Sequence, residues 1–299
     1  MPEKKWQFIN DGFIPAPIDL HDFIAGAYSG VKYELRNETG DWTDDLPTDE
    51  LQSGGGGDSN TCVAQSFNNS CEIQLNRNRR VGMPKFLYKW LDDNNYIDAN
   101  GKVNFSDRAT AKFAKIGPNG TILKNVCDSA RHNGLISEKD WSWDWSQLWD
   151  RVKFYAELPP NLTAKAKAFS KDNPDRYFEI EYEVVRSINS NGEIINFSSI
   201  DKELKHAPLQ FATATCGGWG AGIIEACDAP AGHAYVCHNL DNQKRWIDIF
   251  DSYNPFRKKL APDYHIPYIH KIVITPRTQE ITTDMCRYAW CLYSDVRKA

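Results

Sequence analysis

The first half of the chain places apolar residues at the spacing of an α-helix. From Thr61 they recur every four positions, which predicts a long buried helix that ends near residues 76–80. The apolar residues of this stripe are Val63, Phe67, Cys71 and Leu75. The same reasoning predicts helices over residues 85–94 and 121–134 and a helix start at residues 104–107.

Beyond residue 175 the apolar spacing changes to the alternation of half-buried strands. The predicted strands are residues 177–185, 209–215, 233–239, 245–252 and 267–275, with a helix over residues 198–207. A short strand is also predicted at residues 31–35. The pattern therefore predicts an α+β protein, with a mainly helical lobe over residues 31–170 and an antiparallel β lobe over residues 171–299. Residues 1–30 are predicted to form an N-terminal arm.

Composition narrows the class of protein. A chain of 299 residues is long enough to bury a large core. A net charge of -5 gives no basic surplus, so we expect neither nucleic acid nor a membrane as a partner. The first residues lack the apolar core of a signal peptide, and about 18 consecutive apolar residues occur nowhere. A cytoplasmic protein is therefore expected.

The eight cysteines do not indicate a disulfide scaffold, because they are sparse and form no repeated Cys-x-x-Cys pattern. A zinc site would have the candidate ligands Cys216, Cys227, Cys237 and His238. Their spacing fits no closed ligand pattern, so neither a metal nor an organic cofactor is expected. The glycines at residues 54–57 precede no Gly-Lys-Ser/Thr, which argues against a phosphate loop.

Cys62 follows four helix-capping residue types at residues 58–61, which places it in or beside the first turn of the long helix. Backbone N–H groups at a helix start favour a thiolate, although a buried structural cysteine is the alternative. A helix end contributes roughly 0.3–2 kcal/mol, and one pKa unit corresponds to about 1.36 kcal/mol. A larger shift of the thiol pKa needs a cationic partner, usually a histidine.

His233 and Asp251 are predicted to meet across a β-hairpin. If the turn between their strands is centred on Asn242, the two residues lie directly opposite each other on one face. Opposed residues have Cβ atoms about 4.5–5.5 Å apart, close enough for a carboxylate to hold an imidazole N–H. A two-residue turn would instead place Asp251 on the other face.

The order of these elements resembles that of the papain-like (C1) cysteine peptidases, in the variant found among bacteriophage and related bacterial sequences. The resemblance spans roughly residues 31–275. Its motifs are YELR, ELQ and TCVAQSFNNSCEI around the cysteine, NFSDR and NGLISEKDW, ELKHAPLQFA, and then GHAYV and IFDSYNPF. It implies a papain fold with a substrate cleft between the two lobes.

The resemblance also implies roles for individual residues. Cys62 would be the nucleophile and His233 the general base and acid. Asp251 stands where the family usually has an asparagine that orients the histidine. Tyr253 stands where a tryptophan commonly covers that pair.

The oxyanion hole departs from the family pattern. The family's glutamine usually lies six residues before the cysteine, where this chain has Gly56. Gln52, ten residues before, is expected to serve if the glycine run loops out, with the backbone N–H of Cys62 as the second donor. The family signature is also incomplete here, since no cysteine lies three residues upstream of Cys62.

The resulting hypothesis is a cysteine peptidase that acts on protein or peptide substrates. Trp219 lies in a glycine-rich segment and is predicted to line the substrate cleft with Tyr253; for this segment a plain surface connection is an equal alternative. The tryptophans of residues 141–149 are predicted to pack a loop against the helical lobe. The N-terminal arm is expected to regulate access to the cleft.

Two other functions remain open. A transglutaminase-like enzyme or a peptidoglycan amidase carries a Cys-His-Asp triad equally well. A catalytically silent structural component would keep the papain fold for binding, and the resemblance to phage sequences would then imply phage structural proteins as partners and an association with the virion. The reactivity of the cysteine discriminates between an enzyme and a binding protein.

Overall fold

Six of the seven described α-helices precede the strands of the large sheet along the chain. The computed structural model describes residues 12–15, 34–185, 197–215, 219, 223–225, 231–241, 243–261, 264 and 266–277. The α-helices in this part of the chain are α1 (Cys62–Val81), α2 (Lys85–Asp93), α3 (Asp107–Phe113), α4 (Leu123–Asn133), α5 (Arg151–Phe154), α6 (Pro160–Ala166) and α7 (Phe197–Leu204). Short 3-10 helices lie at Thr43–Asp45, Glu138–Asp140 and Lys167–Phe169.

The strands form a small hairpin and a large sheet. They are β1 (Ser53–Gly54), β2 (Gly57–Asp58), β3 (Phe178–Val185), β4 (Leu209–Thr213), β5 (Ile223–Ile224), β6 (His233–Asp241), β7 (Trp246–Phe250), β8 (Arg257–Leu260) and β9 (Tyr268–Pro276). The large sheet has the order β3-β9-β4-β6-β7-β8-β5. Its pairs are antiparallel, as predicted, except β5 with β8 at one edge, which run parallel.

The predicted α+β organisation is present, with small differences at the start of the chain. The long helix, the helix after residue 121 and the five predicted strands all form near their expected positions. The short strand expected at residues 31–35 does not include Glu34 or Leu35, and residues 31–33 lie outside the described part. Of the predicted N-terminal arm, the structure describes residues 12–15. The division into lobes at residue 170 stays a prediction.

Helix α1 is buried on nearly all sides although many of its residues are polar. Gln74 Nε2 donates to the carbonyl of Ile272 at 2.9 Å, and its Oε1 accepts from the backbone N–H of Ile274 at 3.2 Å. From the sheet, Gln210 Nε2 donates to the carbonyl of Val63 at 3.0 Å. These bonds replace water and so permit a polar helix at the centre of the molecule.

Within the described residues, no helix is long and apolar enough to cross a membrane.

Two apolar clusters lie on either side of the sheet's inner strands. The first joins α1 to α2, α3 and α4 and to β3 and β9, and it includes Cys62 and Phe67. The second includes Phe211, Tyr235 and Ile249 of β4, β6 and β7. Because α1 packs against β4, β6 and β9, the start of the helix lies next to the start of β6. This packing brings two distant parts of the chain together at one site.

The glycines of residues 54–57 form a hairpin under the tryptophan-rich loop of residues 141–149. Gly54 pairs with Gly57, and Gly55 accepts a hydrogen bond from the backbone N–H of Trp149 at 2.9 Å. A Cβ on Gly57 would lie 2.1 Å from the Trp149 ring. The rings of Trp145 and Trp149 stack at 5.4 Å. Glycine is therefore needed here because another loop lies directly against the backbone.

We expect Gly55→Ala to destabilise the protein by at least about 1 kcal/mol more than Gly56→Ala. Both glycines have positive φ, so alanine costs roughly 1–2 kcal/mol at either position. A Cβ on Gly55 would also lie 1.9 Å from the carbonyl oxygen of Gln147, whereas one on Gly56 meets nothing within 4 Å. Urea unfolding of the two variants measures the difference. Equal free energies of unfolding would show that the loop does not press on the hairpin.

Candidate active site

Cys62 is the first residue of α1, as predicted, and its side chain is fully buried. The N-cap is Thr61, but its side chain makes no capping hydrogen bond. Its φ and ψ of -102° and 17° lie outside the extended geometry of a side-chain cap, and its hydroxyl instead bonds Ser59 Oγ at 2.6 Å. Thr61 thus occupies the N-cap position without capping the helix by its side chain, and Cys62 lies in the first turn as predicted.

His233 lies between the thiol and a carboxylate. Its Nε2 bonds Asp251 Oδ1 at 2.6 Å, and its ring also hydrogen-bonds the side chain of Cys62. His233 is the first residue of β6, and Asp251 follows the last residue of β7. The structure therefore brings together the three residues that the sequence indicated from three separate segments.

The predicted register of the hairpin is wrong by two residues, although the predicted contact forms. Val236 pairs with Phe250, so Asp251 lies diagonally from His233 and beyond the end of β7. A bulge between Cys237 and Asn239 shifts the register by one residue. Such a shift changes the face of every residue beyond it, so the bulge returns the histidine and the aspartate to one face. The expected turn centre, residue 242, lies outside the described residues.

Asp251 is held by several donors besides the histidine. Its Oδ2 accepts from Trp219 Nε1 at 2.8 Å and from the ammonium group of Lys258. Its Oδ1 also accepts from the backbone N–H of Ser252 at 2.7 Å. The side chains of Asp251 and Lys258 are fully buried. A carboxylate with this many donors is fixed in position and stays ionised.

Lys258 is a site residue that the sequence prediction missed. It lies on β8, where Lys258 and Leu260 are buried, Arg257 is exposed and Lys259 is half-buried. Because Leu260 points inward and side chains two apart share a face, the alternation of RKKL was a signal for a buried lysine. Lys258 Nζ also donates to the carbonyl of Tyr253 at 2.6 Å. The lysine thus joins the aspartate to the following loop.

The charges of the site follow from these contacts. Burial lowers the pKa of His233, but the effects of Asp251 and Cys62 raise it by more than burial lowers it. The resulting pKa lies well above the ordinary value. Burial raises the pKa of Asp251, whereas His233 and Lys258 lower it, and the net pKa is below the ordinary value. At neutral pH the histidine is therefore an imidazolium and the aspartate a carboxylate.

Trp219 and Tyr253 both lie against the histidine ring. Their ring centroids are 5.3 Å and 5.1 Å from that of His233. Trp219 also holds Asp251 through its indole N–H, so the predicted cleft residue has a contact within the triad itself. The two rings exclude water from the hydrogen bond between histidine and carboxylate, which strengthens that bond.

Gln52 reaches the site because the glycine run loops out, as its predicted role required. The hairpin of β1 and β2 returns the chain, and Ser59 donates its backbone N–H to the carbonyl of Gln52 at 3.0 Å. Gln52 Nε2 donates to Tyr253 Oη at 2.6 Å and to Asp58 Oδ1 at 3.1 Å. Its Oε1 accepts from Ser252 Oγ at 2.7 Å. The buried glutamine is thus tied to the loop that follows Asp251.

The other described cysteines are buried structural residues. Burial raises the pKa of the Cys71, Cys127 and Cys237 thiols well above the ordinary value. Cys127 lies 3.7 Å from His270 Nδ1, but it sits within α4 rather than at a helix start. Cys216 and Cys227 lie outside the described residues. Among the described residues, no group of three or more His, Cys, Asp or Glu side chains is arranged to hold a metal ion.

Part of the N-terminal arm lies beside the site. Phe13 donates its backbone N–H to the carbonyl of Gly232, the residue before the histidine, at 3.2 Å. Gly12 packs so closely on Asn60, two residues before the cysteine, that a Cβ there would lie 2.1 Å from the Asn60 oxygen. On the helical side, Gly12 accepts from the N–H of Thr121 at 2.8 Å. The segment thus joins the residue before His233 to Thr121, which precedes α4, next to the thiol.

Solved structures of cysteine proteases share this fold. Xylellain, a cysteine protease from Xylella fastidiosa, matches with a TM-score of 0.55 and 14% identity over 90% of this chain and 96% of that protein. Digestive procathepsin L 3 of Tenebrio molitor matches with a TM-score of 0.53 and 10% identity, covering 89% and 77% of the two chains. The cysteine protease and lectin-like domains of Cwp84 from Clostridium difficile match with a TM-score of 0.53 and 12% identity, covering 90% and 56%.

These matches confirm the predicted α+β class and the papain-like fold. At such low identities the likeness is one of fold. No protein-family model matches the chain, and no curated protein matches its sequence.

Proposed function

We propose that the protein is a cysteine peptidase that hydrolyses peptide bonds, with Cys62 as nucleophile, His233 as base and acid, and Asp251 as the orienting residue. The observation that carries the proposal is the position of His233, which bonds both the thiol at the start of α1 and a buried carboxylate. An imidazolium beside a thiol at a helix start favours the thiolate.

The first half of the reaction forms a thioester. The Cys62 thiolate attacks the substrate carbonyl, and the oxygen of the tetrahedral intermediate takes the negative charge. Because Nε2 of His233 is held by Asp251, Nδ1 is the nitrogen that gives its proton to the leaving amine. The amine departs and leaves the acyl group on sulfur. In the second half, His233 removes a proton from water, the hydroxide attacks the thioester, and the released thiolate restores the pair with the imidazolium.

The oxyanion is stabilised by the backbone N–H of Cys62 and by Gln52. In the free protein the Gln52 amide donates to Tyr253 and Asp58, so one of these bonds is exchanged for the oxyanion. Its Oε1 stays with Ser252, which keeps the amide oriented. Hydrogen-bond donors fixed before the reaction act most strongly in a site that excludes water.

The Cys-His-Asp variant found among bacteriophage and related bacterial sequences is our proposal for the branch of the family. Two features of the chain support it. Asp251 stands at the third position of the triad, and Ser59 stands where the family signature has a cysteine three residues before the nucleophile. The substrates in this proposal are proteins or peptides.

The proposal is tested by the pH profile of Cys62 alkylation. We expect iodoacetamide to label wild-type Cys62 near its maximal rate already at pH 6, because the imidazolium stabilises the thiolate. In His233→Ala the rate should rise only towards about pH 8.5, the ordinary range of a thiol. Peptide mass spectrometry of Cys62 gives the rates, each expressed relative to the plateau of the same variant, which removes differences in access.

His132→Ala is the matched control, because His132 pairs with Asp172 at 3.0 Å on the protein surface. It should leave the profile unchanged. An alkaline midpoint shared by wild type and His233→Ala would refute the peptidase and favour a papain fold kept for binding. An acidic midpoint together with digestion of casein, lost in Cys62→Ser, would support hydrolysis of peptide bonds over transfer to an amine.

A further inference from the structure

A cavity of about 280 Å³ lies at the junction of the lobes, one helical turn from the cysteine. Its lining includes Glu50 and Leu51 on the segment before Gln52, Gln65 on α1 and Phe256 of the β lobe. Gln65 follows Cys62 by three residues, which is about 4.5 Å along a helix axis. The cavity is smaller than the roughly 300–1,000 Å³ of pockets that enclose drug-sized ligands, so it suits a single side chain.

Four carboxyl groups line this cavity, which we call the carboxyl cavity: Asp49, Glu50, Asp107 and Glu138. Asp49 pairs with the guanidinium group of Arg257 at 3.2 Å. The other three come from a loop, the start of α3 and a 3-10 helix, and Glu72 of α1 lies buried behind them, where it accepts from the N–H of Phe105 at 2.6 Å. These four remaining acids need a counter-charge or must keep protons.

The hydrogen bonds of Glu50 and Asp107 are with neutral groups. Glu50 accepts from Asn104 Nδ2 at 2.6 Å, and Asp107 accepts from Asn68 Nδ2 at 2.8 Å. Glu50 and Asp107 also hydrogen-bond each other, which requires a proton between them. Neutral donors of this kind orient the carboxyl groups but do not themselves compensate the negative charge of an ionised group.

The one arginine among the lining residues is directed elsewhere. Arg108 donates from its guanidinium group to the backbone carbonyls of Ser142 and Phe154, at 3.1 and 2.6 Å, and to that of Lys153. Its guanidinium also lies over the ring of Trp141 at 4.0 Å. The donors of this cation therefore serve the tryptophan-rich loop and α5, and only its charge acts on Glu138.

The acids respond to this environment by holding protons. Burial raises the pKa of Glu50, and the nearby charge of Asp98 raises it too. Hydrogen bonds from Asn104 and Asp107 lower it in part, and the resulting pKa is about 7. Burial and the charge of Glu50 raise the pKa of Asp107 and of Glu138 well above the ordinary value. A positive ligand would release these protons by supplying the missing charge.

A second observation points to a ligand. Gln65 is 3% exposed and lines the cavity, and nothing in the described part of the chain donates to its Oε1. A buried carbonyl oxygen without a donor costs about 1–3 kcal/mol. The lining thus places an amide oxygen beside the carboxyl groups, and all of these oxygens can accept hydrogen bonds from a cation.

The remaining wall is aromatic. Trp143, Trp145 and Phe154 line the cavity, and their rings lie 5.5–6.4 Å apart. Aromatic faces attract cations and also pack against aliphatic chains. A bare metal ion would use neither property, and no described group of three or more metal-ligating side chains is arranged to hold one. The lining therefore matches an organic cation with an apolar stem.

We propose that the carboxyl cavity binds the side chain of an arginine or lysine residue of a peptide substrate, an inference that rests on the proposed peptidase function. The carboxyl groups and Gln65 Oε1 accept hydrogen bonds from the guanidinium or ammonium group, and the tryptophan faces cover its aliphatic stem. The position of Gln65 one turn from Cys62 places the basic residue close to the bond that is cleaved.

The test is calorimetric and needs no catalysis. N-acetyl-arginine amide and its neutral isostere N-acetyl-citrulline amide are titrated into the full-length Cys62→Ala protein. We expect the arginine probe to bind at least about tenfold more tightly, since removing one partner of a buried charge pair commonly costs more than this factor. Glu138→Gln and Glu50→Gln, each nearly isosteric with a protonated acid, should both reduce the preference. Two variants are used so that the test still stands if one of them fails to fold.

Glu157→Gln is the control, because Glu157 is 93% exposed and pairs with Lys112 on the surface; it should not change the preference. Equal affinities for the two probes, or a preference that survives both substitutions in the cavity, would overturn the proposal. A preference abolished by Glu138→Gln supports the cavity even if Cys62 titrates as an ordinary thiol. The proposed binding site and the proposed peptidase activity are therefore tested independently.

Discussion

Lys258→Met is expected to destabilise the protein by about 3–5 kcal/mol, the usual cost of removing one partner from a buried ion pair. Its ammonium group contacts Asp251 Oδ2, and both side chains are fully buried. Without the lysine, the buried site holds one more negative charge than positive when the thiolate and imidazolium are both present. We therefore also expect the alkylation midpoint of Cys62 to move to higher pH.

A double variant shows whether Lys258 stabilises the protein through its ion pair with Asp251. Asp251→Asn alone leaves Lys258 buried without its carboxylate, and it should cost a similar amount. The double variant Asp251→Asn/Lys258→Met removes both charges and keeps an oxygen for the histidine, so we expect it to be more stable than either single variant. The aspartate and lysine would then together replace the neutral asparagine that the papain-like family usually has.

Urea unfolding at pH 7 measures all three variants. The pKa of Asp251 is lowered in the folded protein, so the pair stabilises it above about pH 4, and this contribution is lost as the pH falls further. Lys259→Met is the matched control, because Lys259 is the next residue and pairs with Asp248 near the surface. Additive costs in the double variant would show that Lys258 does not act through Asp251.

Phe13→Ala is expected to accelerate the alkylation of Cys62 at pH 7 by one to two orders of magnitude. The thiol is fully buried, so the reagent reaches it when the neighbouring structure opens. Phe13 is 2% exposed, and its ring packs on Tyr268 at 5.1 Å. Truncating a buried phenylalanine typically costs about 3–5 kcal/mol, part of which would appear as easier opening of the arm.

The rate of iodoacetamide labelling, followed by mass spectrometry, measures this effect. Ile14→Ala is the control in the same segment, because Ile14 is 39% exposed and contributes less to the packing of the arm. Global unfolding is monitored through labelling of buried Cys71, which should stay slow. Unchanged labelling of Cys62 in Phe13→Ala would mean that the arm does not limit access to the thiol.

Much of the site was predictable because its signals are local. The four-residue period places Cys62 at the start of a buried helix, and that assignment needs nothing beyond the sequence near it. Polar His233 and Asp251 each adjoin an apolar strand, where a buried polar side chain needs a partner. The likeness of the ordered motifs to papain-like peptidases supplied the relation between segments that lie far apart.

The tertiary structure decided the features that depend on register and on distant contacts. The bulge between Cys237 and Asn239 sets which residues face His233, and no pattern of apolar residues marks it. The hairpin at residues 53–58 decides that Gln52 reaches the loop after Asp251.

The sequence by itself determined where the long buried helix and five of the strands lie, and it indicated the three central residues. Only the tertiary structure brought Lys258 onto Asp251 and gathered Glu50, Asp107 and Glu138 around one cavity. The physical reason is that hydrophobic period reports which face of an element is buried. Which buried polar groups meet there depends on the packing of segments separated by tens of residues.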